Sequence, residues 1–492
     1  MCGIFGVRGS PEAVALTKLG LYSLQHRGQE SAGIVAVDAA GRARGARSMG
    51  LVSDMSHAQV EALEGDMAIG HTRYSTAGSS TIENAQPVLV SSRGGHIALA
   101  HNGNLTNAGE LRVDLEELGS IFASSMDSEV IVHRLARSTA ATPEARLAEA
   151  LTGVEGAYSI LIVLGDTILA ARDPRGWRPL VMGRLNGAPV FGSETCALDI
   201  VGATYERDIE PGEIFAVDDS GERAIFPFER QELKRCVFEH VYFARPDSRI
   251  FGGSVDRARR ALGRRLAQEC PAPGADLVFS VPDSSNSAAI GYAEESGLPY
   301  ELALIRNHYV GRTFIQPSQT LRQLGIRLKL NALESVIRGK RIIVVDDSIV
   351  RGNTQRAVVR MLREAGAAEV HIKISSPPVR WPCFYGIDFA SRAELIANGA
   401  AVDEISTSIG ADSLSYISED GMIDATQQPR ERLCTACFTG NYPIELPDDD
   451  RLGKNLLERL DPADKSGATG CDPGPDTDLE SVLADEDKKE RV

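Results

Sequence analysis

The sequence predicts an α+β domain followed by an α/β domain with a parallel sheet, and three observations support this division. The chain has 492 residues, a length typical of two or three domains. Up to about residue 230, short apolar runs are separated by Gly, Asn and Asp, as in antiparallel sheets. After Cys236, helical stretches alternate with apolar runs, as in βα units around a parallel sheet. We therefore predict domains over residues 2–233 and 234–445.

Composition and charge exclude several classes of protein. With 43% apolar and 24% charged residues, the chain resembles an ordinary globular protein. No apolar run approaches the ~18 residues of a membrane span, and no basic signal-peptide segment precedes the first domain, so we expect a cytoplasmic protein without a membrane partner. The net charge of −16 argues against a nucleic-acid partner. Residues 446–492 are acidic and rich in Pro and Gly, which predicts a disordered tail.

In the first domain, the periodicity predicts helices at residues 11–24 and 128–136. Strands are predicted in the runs GDMAIGHTRYST, GGHIALAHNGNL and GAYSILIVLGDTILAARDP. In the second domain, helices are predicted at residues 254–269, 286–295 and 355–365. The intervening runs DLVFSV, YELALI, RIIVVDD and VHIKIS predict the strands of the parallel sheet.

Cys2 is the first candidate for chemistry. It follows the initiator Met, and a small second residue allows methionine aminopeptidase to expose it as an amino-terminal cysteine. A thiol needs a base to become an attacking thiolate, and the α-amine of the same residue, with an ordinary pKa of about 7.7–8.0, can serve. A small buried cysteine is the alternative interpretation.

Five segments give Cys2 a context: CGIFGV at residues 2–7, LQHRGQESAGI at 24–34, GHTRYSTAG at 70–78, AHNGNLTN at 100–107 and SMDSE at 125–129. Together they resemble the glutaminase domain of N-terminal-nucleophile amidotransferases, which has an αββα fold. The resemblance implies that Cys2 attacks the carboxamide of glutamine, releases ammonia and forms a glutamyl thioester that water hydrolyses.

The same resemblance implies roles for four other residues. Arg73 would bind the α-carboxylate of glutamine, and Asp127 would bind its α-ammonium group. Asn102 and Gly103 would form the oxyanion hole through a side-chain amide and a backbone N–H. On its own, the Asn-Gly pair predicts a tight turn. We expect residues 26–28 to support this site rather than to react.

The segment RIIVVDDSIVRGNT at residues 341–354 is the most specific pattern of the second domain. Four β-branched residues predict a buried strand, Asp346 and Asp347 lie at its carboxyl end, and Gly352 leads into a helix. Ligands of open α/β sheets bind at that edge, where backbone N–H groups suit a phosphate. The Walker pattern is absent, and the adjacent carboxylates suit ribose hydroxyls and hydrated Mg²⁺. A helix-capping turn is the alternative.

This segment resembles the phosphoribosyl diphosphate signature of type I phosphoribosyltransferases. The resemblance implies that Asp346 and Asp347 hold the ribose hydroxyls and Mg²⁺, and that the following loop binds the 5′-phosphate. The residues assigned to the loop are Ser348, Val350, Arg351, Gly352, Asn353 and Thr354. VPDSS at residues 281–285 would place Ser284 against the diphosphate and its Mg²⁺.

Residues 306–319, RNHYVGRTFIQPSQ, combine Arg306, His308 and Arg312 with little periodicity. That composition suits a mobile lid that brings cations, Arg312 among them, over the diphosphate and excludes water. A basic surface loop is the alternative. Related enzymes usually read Lys-Asn-Arg-Tyr where this chain reads Arg-Asn-His-Tyr, which leaves the role of His308 open.

Eight cysteines in a chain without a signal peptide do not indicate a disulfide framework. From spacing alone, four of them could bind structural Zn²⁺, form a redox pair or belong to the core; they are Cys236, Cys383, Cys434 and Cys437. One branch of the amidotransferase family that combines both motif sets holds a 4Fe-4S cluster at matching cysteines. Four thiolates are the ligands of such a cluster. The resemblance therefore implies a 4Fe-4S cluster here.

The combination of the two motif sets resembles the glutamine phosphoribosylpyrophosphate amidotransferase family, in its iron-sulfur-containing branch. The resemblance implies that ammonia made at Cys2 passes through an internal channel and displaces diphosphate from C1 of ribose, giving 5-phosphoribosylamine, the first step of purine synthesis. It also implies inhibition by purine nucleotides (AMP, GMP, ADP and GDP) and a homo-oligomer, with a tetramer as the expectation.

Two other functions are compatible with parts of the sequence. One is another Cys-terminal amidotransferase, of hexosamine or asparagine synthesis, which would not need the phosphoribosyl segment at residues 346–354. The other is a nucleotide-sensing regulator that has lost its chemistry, in which the complete set around Cys2 would be superfluous.

Overall fold

The computed structural model describes residues 1–307, 329–388, 392–446 and Leu457. Within residues 3–225, thirteen strands form two antiparallel sheets. In chain order they are β1 (Gly3–Arg8), β2 (Ser31–Val37), β3 (Ala43–Met49), β4 (Met67–Arg73), β5 (Val88–Ser92), β6 (Gly95–Leu105), β7 (Gly156–Leu164), β8 (Thr167–Arg172), β9 (Val181–Leu185), β10 (Ala188–Gly192), β11 (Thr204–Asp208), β12 (Ile214–Asp218) and β13 (Gly221–Ile225).

The two sheets lie face to face. Their strand orders are β11-β9-β10-β1-β4-β2-β3 and β13-β12-β8-β7-β6-β5. Ile4, Val35 and Ile69 of the first sheet pack against Leu161 and Val163 of the second. Strand β7 is buried along its whole length, which is why its sequence is a continuous apolar run.

Helices cover the outer face of each sheet. They are α1 (Ala13–Ser23), α2 (His57–Glu61), α3 (Ala108–Glu117), α4 (Glu129–Arg137), α5 (Pro143–Leu151) and α6 (Thr195–Ile200). Helix α4 buries Val130, Ile131 and Leu135 and carries Arg134 and Arg137 in its last turn. The predicted αββα arrangement is therefore confirmed, and the helices predicted at residues 11–24 and 128–136 are observed within two residues of the predicted ends.

The second half contains a four-stranded parallel sheet, ordered β17-β20-β21-β22. The strands of this half are β14 (Arg235–Cys236), β15 (Arg249–Ile250), β16 (Gly253–Ser254), β17 (Leu277–Ser280), β18 (Leu304–Arg306), β19 (Leu330–Ala332), β20 (Arg341–Asp346), β21 (Glu369–Ile374), β22 (Ser413–Tyr416) and β23 (Leu433–Cys434). Its helices are α7 (Val255–Glu269), α8 (Asn286–Ser296), α9 (Glu334–Ile337), α10 (Asn353–Glu364), α11 (Val402–Ile409), α12 (Glu419–Thr426) and α13 (Ala436–Thr439), with a π-helical turn at Glu239–Phe243.

The parallel sheet and its flanking helices confirm the predicted α/β class, but the predicted strand YELALI is wrong. Only Tyr300 forms an isolated bridge with Val278, and β18 pairs antiparallel with β19 instead of joining the sheet. Leu302 and Ile305 of this run are 62% and 40% exposed, whereas Ala303 and Leu304 are buried, so the run packs only in part against the core of the sheet. The fourth strand of the sheet is β22, which the sequence analysis did not predict.

Leu457, within the predicted tail, is buried in the apolar core formed by the second antiparallel sheet and its helices. The rest of that tail beyond residue 446 lies outside the described residues, so its predicted disorder stays a prediction. None of the helices in the described ranges is both long and apolar enough to cross a bilayer.

Candidate active sites

Cys2 directly precedes β1 and lies beside the strand that carries the predicted oxyanion residues. Its backbone N–H donates to Oδ1 of Asn102 at 3.1 Å, and its thiol lies 3.5 Å from the carbonyl oxygen of Tyr74. Nδ2 of Asn102 is buried and has no partner among the described residues, so this amide donor is free for a ligand beside the thiol. Gly103 follows on β6 and pairs with Tyr158 of β7.

The two predicted glutamine-binding side chains are both buried near this strand. The guanidinium of Arg73 donates to the carbonyl oxygens of residues 77–79 and lies 3.6 Å from Glu30. Asp127 accepts from the N–H of Leu105 at 2.9 Å. Burial opposes ionisation of Asp127, but the adjacent His101 outweighs it, so the pKa of Asp127 is lowered and the carboxylate is suited to bind an ammonium group.

A buried ion-pair cluster contacts the backbone of Cys2. Nε of Arg27 donates to the carbonyl oxygen of Cys2 at 2.9 Å, and its other nitrogens donate to Glu194 at 2.5 Å and to Glu239 at 2.8 Å. Arg178 approaches Glu239 to 3.5 Å. All four charged side chains are fully buried. Burial opposes the charged form of Glu194, but His26 and Arg27 outweigh it and lower its pKa.

The sequence predicts that residue 27 supports the site around Cys2. It does not indicate Glu194, Glu239 or Arg178. The two carboxylates are 167 and 212 residues from Arg27 in the chain. No local spacing or motif connects such distant residues, so no pattern in the sequence could have identified this cluster.

The second candidate site lies at the carboxyl end of β20. Asp346 accepts from the hydroxyl of Ser285 at 2.8 Å, and Asp347 accepts from the hydroxyls of Ser284 at 2.6 Å and Ser348 at 2.7 Å. Each aspartate is only 7% exposed. Burial and then the charge of Asp347 raise the pKa of Asp346 well above its usual value. A divalent cation would remove that electrostatic conflict, and the donor set of carboxylate and hydroxyl oxygens suits Mg²⁺.

The loop after these aspartates has the shape that the sequence predicted. Gly352 has φ +76°, and Asn353 begins α10 directly after it. Arg351 is exposed and lies 3.2 Å from Glu394, while Asn353 and Thr354 are exposed at the helix start. Val350 accepts from the N–H of Ile396. The structure therefore brings Ser284 and residues 346–354 together, and their binding roles stay predictions.

The predicted lid is described only at its start. Arg306 forms an ion pair with Asp283 at 2.6 Å, which connects the lid to the loop of Ser284. His308 and Arg312 lie outside the described residues.

The four cysteines assigned to a cluster line one cavity. Cys236 and Cys434 are partners on the short parallel pair β14-β23, Cys437 lies on α13, and Cys383 lies on a loop. Trp177, Arg178, Tyr385 and Tyr442 also line this cavity. None of the seven cysteines in the described residues forms a disulfide. We refer to this cavity with its four cysteines as the thiol site.

The thiol site is not arranged for a single ion. In the described part of the chain, no three Cys, His, Asp or Glu side chains converge closely enough to hold one metal ion. A tetrahedral Zn²⁺ would need its sulfurs within ~2.3 Å of one point. Burial raises the pKa of Cys236 to about 11, so stable thiolates there need a positively charged group between them. The described residues therefore show four thiols around one cavity and no side chains already arranged around a metal ion.

Comparison with known proteins gives two family matches along the chain. A glutamine amidotransferase domain profile matches residues 71–199, and a phosphoribosyl transferase domain profile matches residues 260–375. Amidophosphoribosyltransferase of Mycobacterium tuberculosis is 55% identical over 473 residues, covering 93% of this chain and 89% of the relative. That of Bacillus subtilis is 50% identical over 457 residues, covering 92% and 96%.

Two solved structures are similar over nearly the whole chain. One, described as the allosteric regulatory enzyme of purine biosynthesis, has a TM-score of 0.87 and 49% identity and covers 93% of this chain and 99% of its own. The other is glutamine phosphoribosylpyrophosphate amidotransferase from B. subtilis complexed with ADP and GMP. It has a TM-score of 0.85 and 49% identity and covers 91% of this chain and 98% of its own.

Replacing Glu239 by Gln tests the buried ion-pair cluster. The change leaves the buried Arg27 and Arg178 with too little negative charge, so we expect the free energy of unfolding to fall by about 3–5 kcal/mol. The measurement is the midpoint of urea denaturation. Glu222→Gln is the matched control, because Glu222 pairs with Arg184 at the surface and its loss should cost about 0–1 kcal/mol. Equal shifts for both variants would contradict the importance of the cluster.

Proposed function

The chain belongs to the amidophosphoribosyltransferase family, and from that premise we propose which residues carry the two halves of its reaction. The enzyme transfers the amide nitrogen of glutamine to phosphoribosyl diphosphate, giving 5-phosphoribosylamine, glutamate and diphosphate in purine synthesis. We assign glutamine hydrolysis to residues 2–233 and phosphoribosyl transfer to residues 234–445, with the tail of residues 446–492 outside both.

In the first half-reaction, Met1 is removed and the thiolate of Cys2 attacks the carboxamide carbon of glutamine. The C–N bond breaks, ammonia leaves with the thiol proton, and water then hydrolyses the thioester to glutamate. The free Nδ2 of Asn102, beside the thiol, is the observation that carries this assignment. With the N–H of Gly103 it would stabilise the oxyanion, while Arg73 and Asp127 would hold the α-carboxylate and the α-ammonium group.

In the second half-reaction, ammonia that has passed through an internal channel attacks C1 of the ribose. The bond from C1 to the diphosphate oxygen breaks, and the departing diphosphate takes up the proton that the new amine loses. Asp346 and Asp347 would hold the ribose hydroxyls and, with Ser284, Mg²⁺, and residues 348–354 would bind the 5′-phosphate. Bound Mg²⁺ would neutralise charge on the diphosphate. We assign Arg312 to the diphosphate as well, from the sequence alone.

We further propose that the protein belongs to the iron-sulfur-containing branch and holds a 4Fe-4S cluster at the thiol site. Cys236, Cys383, Cys434 and Cys437 would be its ligands. Because these residues come from three separate segments of the chain, the cluster would crosslink those segments. Its role in this proposal is structural.

Purine nucleotides are proposed as feedback inhibitors. The support is the B. subtilis relative, whose structure was solved with ADP and GMP. A nucleotide carries the same ribose 5-phosphate unit as the substrate, so AMP, GMP, ADP and GDP could occupy the site of Asp346 and Asp347. We also propose a homotetramer, on the family resemblance alone.

Replacing Cys2 by Ala separates the two half-reactions. We expect the variant to lose glutamine-dependent turnover by a factor of at least ~10³ while it still uses added ammonia, because the phosphoribosyl site is intact. The measurement is the release of glutamate and of diphosphate, with Mg²⁺, under anaerobic conditions. Wild-type protein should release both in equal amounts, and its intact mass should show that Met1 is absent. Glutamate release by the variant at the wild-type rate would contradict the assignment.

Asn102→Ala tests the oxyanion hole. Loss of one preorganised donor should lower kcat for glutamine hydrolysis by about 10²–10³, with a much smaller change in KM for glutamine. Ammonia-dependent turnover serves as the control and should stay within about twofold of wild type. A large rise in KM with kcat unchanged would instead indicate a substrate-binding role.

The cluster proposal is tested by metal analysis. Protein purified without oxygen should contain about four iron and four sulfide per chain and should show a broad visible absorption. Cys437→Ser should lose iron and lower the midpoint of thermal unfolding, whereas Cys196→Ser, at a buried cysteine outside the thiol site, should retain the iron. One zinc per chain in place of iron would show that the site holds Zn²⁺.

A further inference from the structure

A short segment of the second half, residues 383–386, lies between the thiol site and the predicted oxyanion hole. Cys383 lines the thiol site, and the segment ends at Gly386, whose φ is +109°. The backbone of Gly386 packs directly on Gly103: a Cβ placed at residue 386 would lie 3.0 Å from the carbonyl carbon of Gly103 and 3.1 Å from its oxygen. Only a glycine permits this approach without moving one of the two backbones.

The other residues of the segment are also fixed to the first half of the chain. The carbonyl oxygen of Phe384 accepts from Nδ2 of Asn104 at 3.0 Å, and that of Tyr385 accepts from Nε of Arg178 at 2.9 Å. The ring of Tyr385 stacks on Trp177 with 4.0 Å between centroids. A shift of the segment would therefore disturb Asn104, which follows Gly103, together with Trp177 and Arg178.

The carbonyl oxygen of Gly103 is also constrained by Thr76. It accepts from Oγ1 of Thr76 at 3.2 Å. On the sheet side, β6 pairs with β7 through Gly103 and Tyr158. Gly386, from the second half of the chain, packs against the Cα and the carbonyl group of Gly103. These atoms adjoin the N–H that would stabilise the oxyanion, so Gly386 limits the position of that residue. Oxyanion donors act only when they are held at the correct position before the reaction.

We propose that residues 383–386 are a positioning element for the oxyanion hole, with Gly386 as the contact residue. Through Cys383, this element connects the occupancy of the thiol site to glutamine hydrolysis at Cys2. The connection to the thiol site rests on the proposed cluster. The positioning role of residues 383–386 rests only on the packing of Gly386 against Gly103. The group at the thiol site then has an effect on catalysis in addition to its structural role.

Gly386→Ala tests the positioning element, and Gly399→Ala is its matched control. Gly399 also has a positive φ, +87°, but no atom lies within 4 Å of a Cβ placed there, so the control has the backbone strain without the contact. We expect Gly386→Ala to lower kcat for glutamine hydrolysis by about 10- to 100-fold, because small displacements of catalytic groups have effects of this size. KM for glutamine, ammonia-dependent turnover and iron content should match those of the control.

A glutaminase kcat within about twofold of the Gly399→Ala value would overturn the positioning role. If Gly386→Ala loses its iron, the Asn104→Ala variant tests the positioning role instead. It removes the hydrogen bond to Phe384 without changing a thiol ligand or Gly386. We then expect a three- to tenfold loss of glutaminase kcat with iron retained, and an unchanged kcat would overturn the proposal. Wild-type protein without iron would refute the cluster alone, since the Gly386→Ala comparison does not require it.

Discussion

The buried guanidinium of Arg27 is the constraint on which the arrangement of the first site depends. A fully buried cation without a compensating charge is unstable, so Glu194 and Glu239 must both be present around it. Its remaining N–H donor then fixes the carbonyl oxygen of Cys2. Because Glu239 belongs to the second half of the chain, this support of the Cys2 backbone is complete only when the two halves are assembled.

The segment that supplies Glu239 also reaches the phosphoribosyl site. Arg259 donates to the carbonyl oxygens of His240 at 2.8 Å and Ala244 at 2.7 Å, and it lies 3.4 Å from that of Ser284. Two arginines thus bind the π-helical turn of residues 239–243. Arg27 binds it beside the first candidate site, and Arg259 binds it beside the second. This shared support gives the two sites a common scaffold, which suits an enzyme that must produce ammonia where it is consumed.

The sequence predicted the features that depend on neighbours in the chain. The strand, the two aspartates and the glycine of residues 341–354 lie within one βα unit, and Cys2 and Asn102 lie in short local motifs that resemble those of a known family. Glu194 and Glu239 could not be predicted, since only tertiary packing brings them to Arg27. The run YELALI was wrongly predicted as a strand of the parallel sheet, because an apolar pattern does not reveal which side chains are exposed. Strand β22 was not predicted, because its sequence SLSY is short and partly polar.

The spacing of the cysteines left Zn²⁺, a redox pair and ordinary core residues open, and the structure brings the four cysteines to one cavity. The thiol site and the buried ion-pair cluster around Arg27 both lie at the contact between the two halves, and both include Arg178. Arg27 binds the backbone of Cys2, and Gly386 packs against the Cα and the carbonyl group of Gly103. The glutaminase half therefore lacks two of its supports when it is considered alone. Both of its sheets lie within residues 3–225, but the geometry of its candidate site depends on residues beyond them.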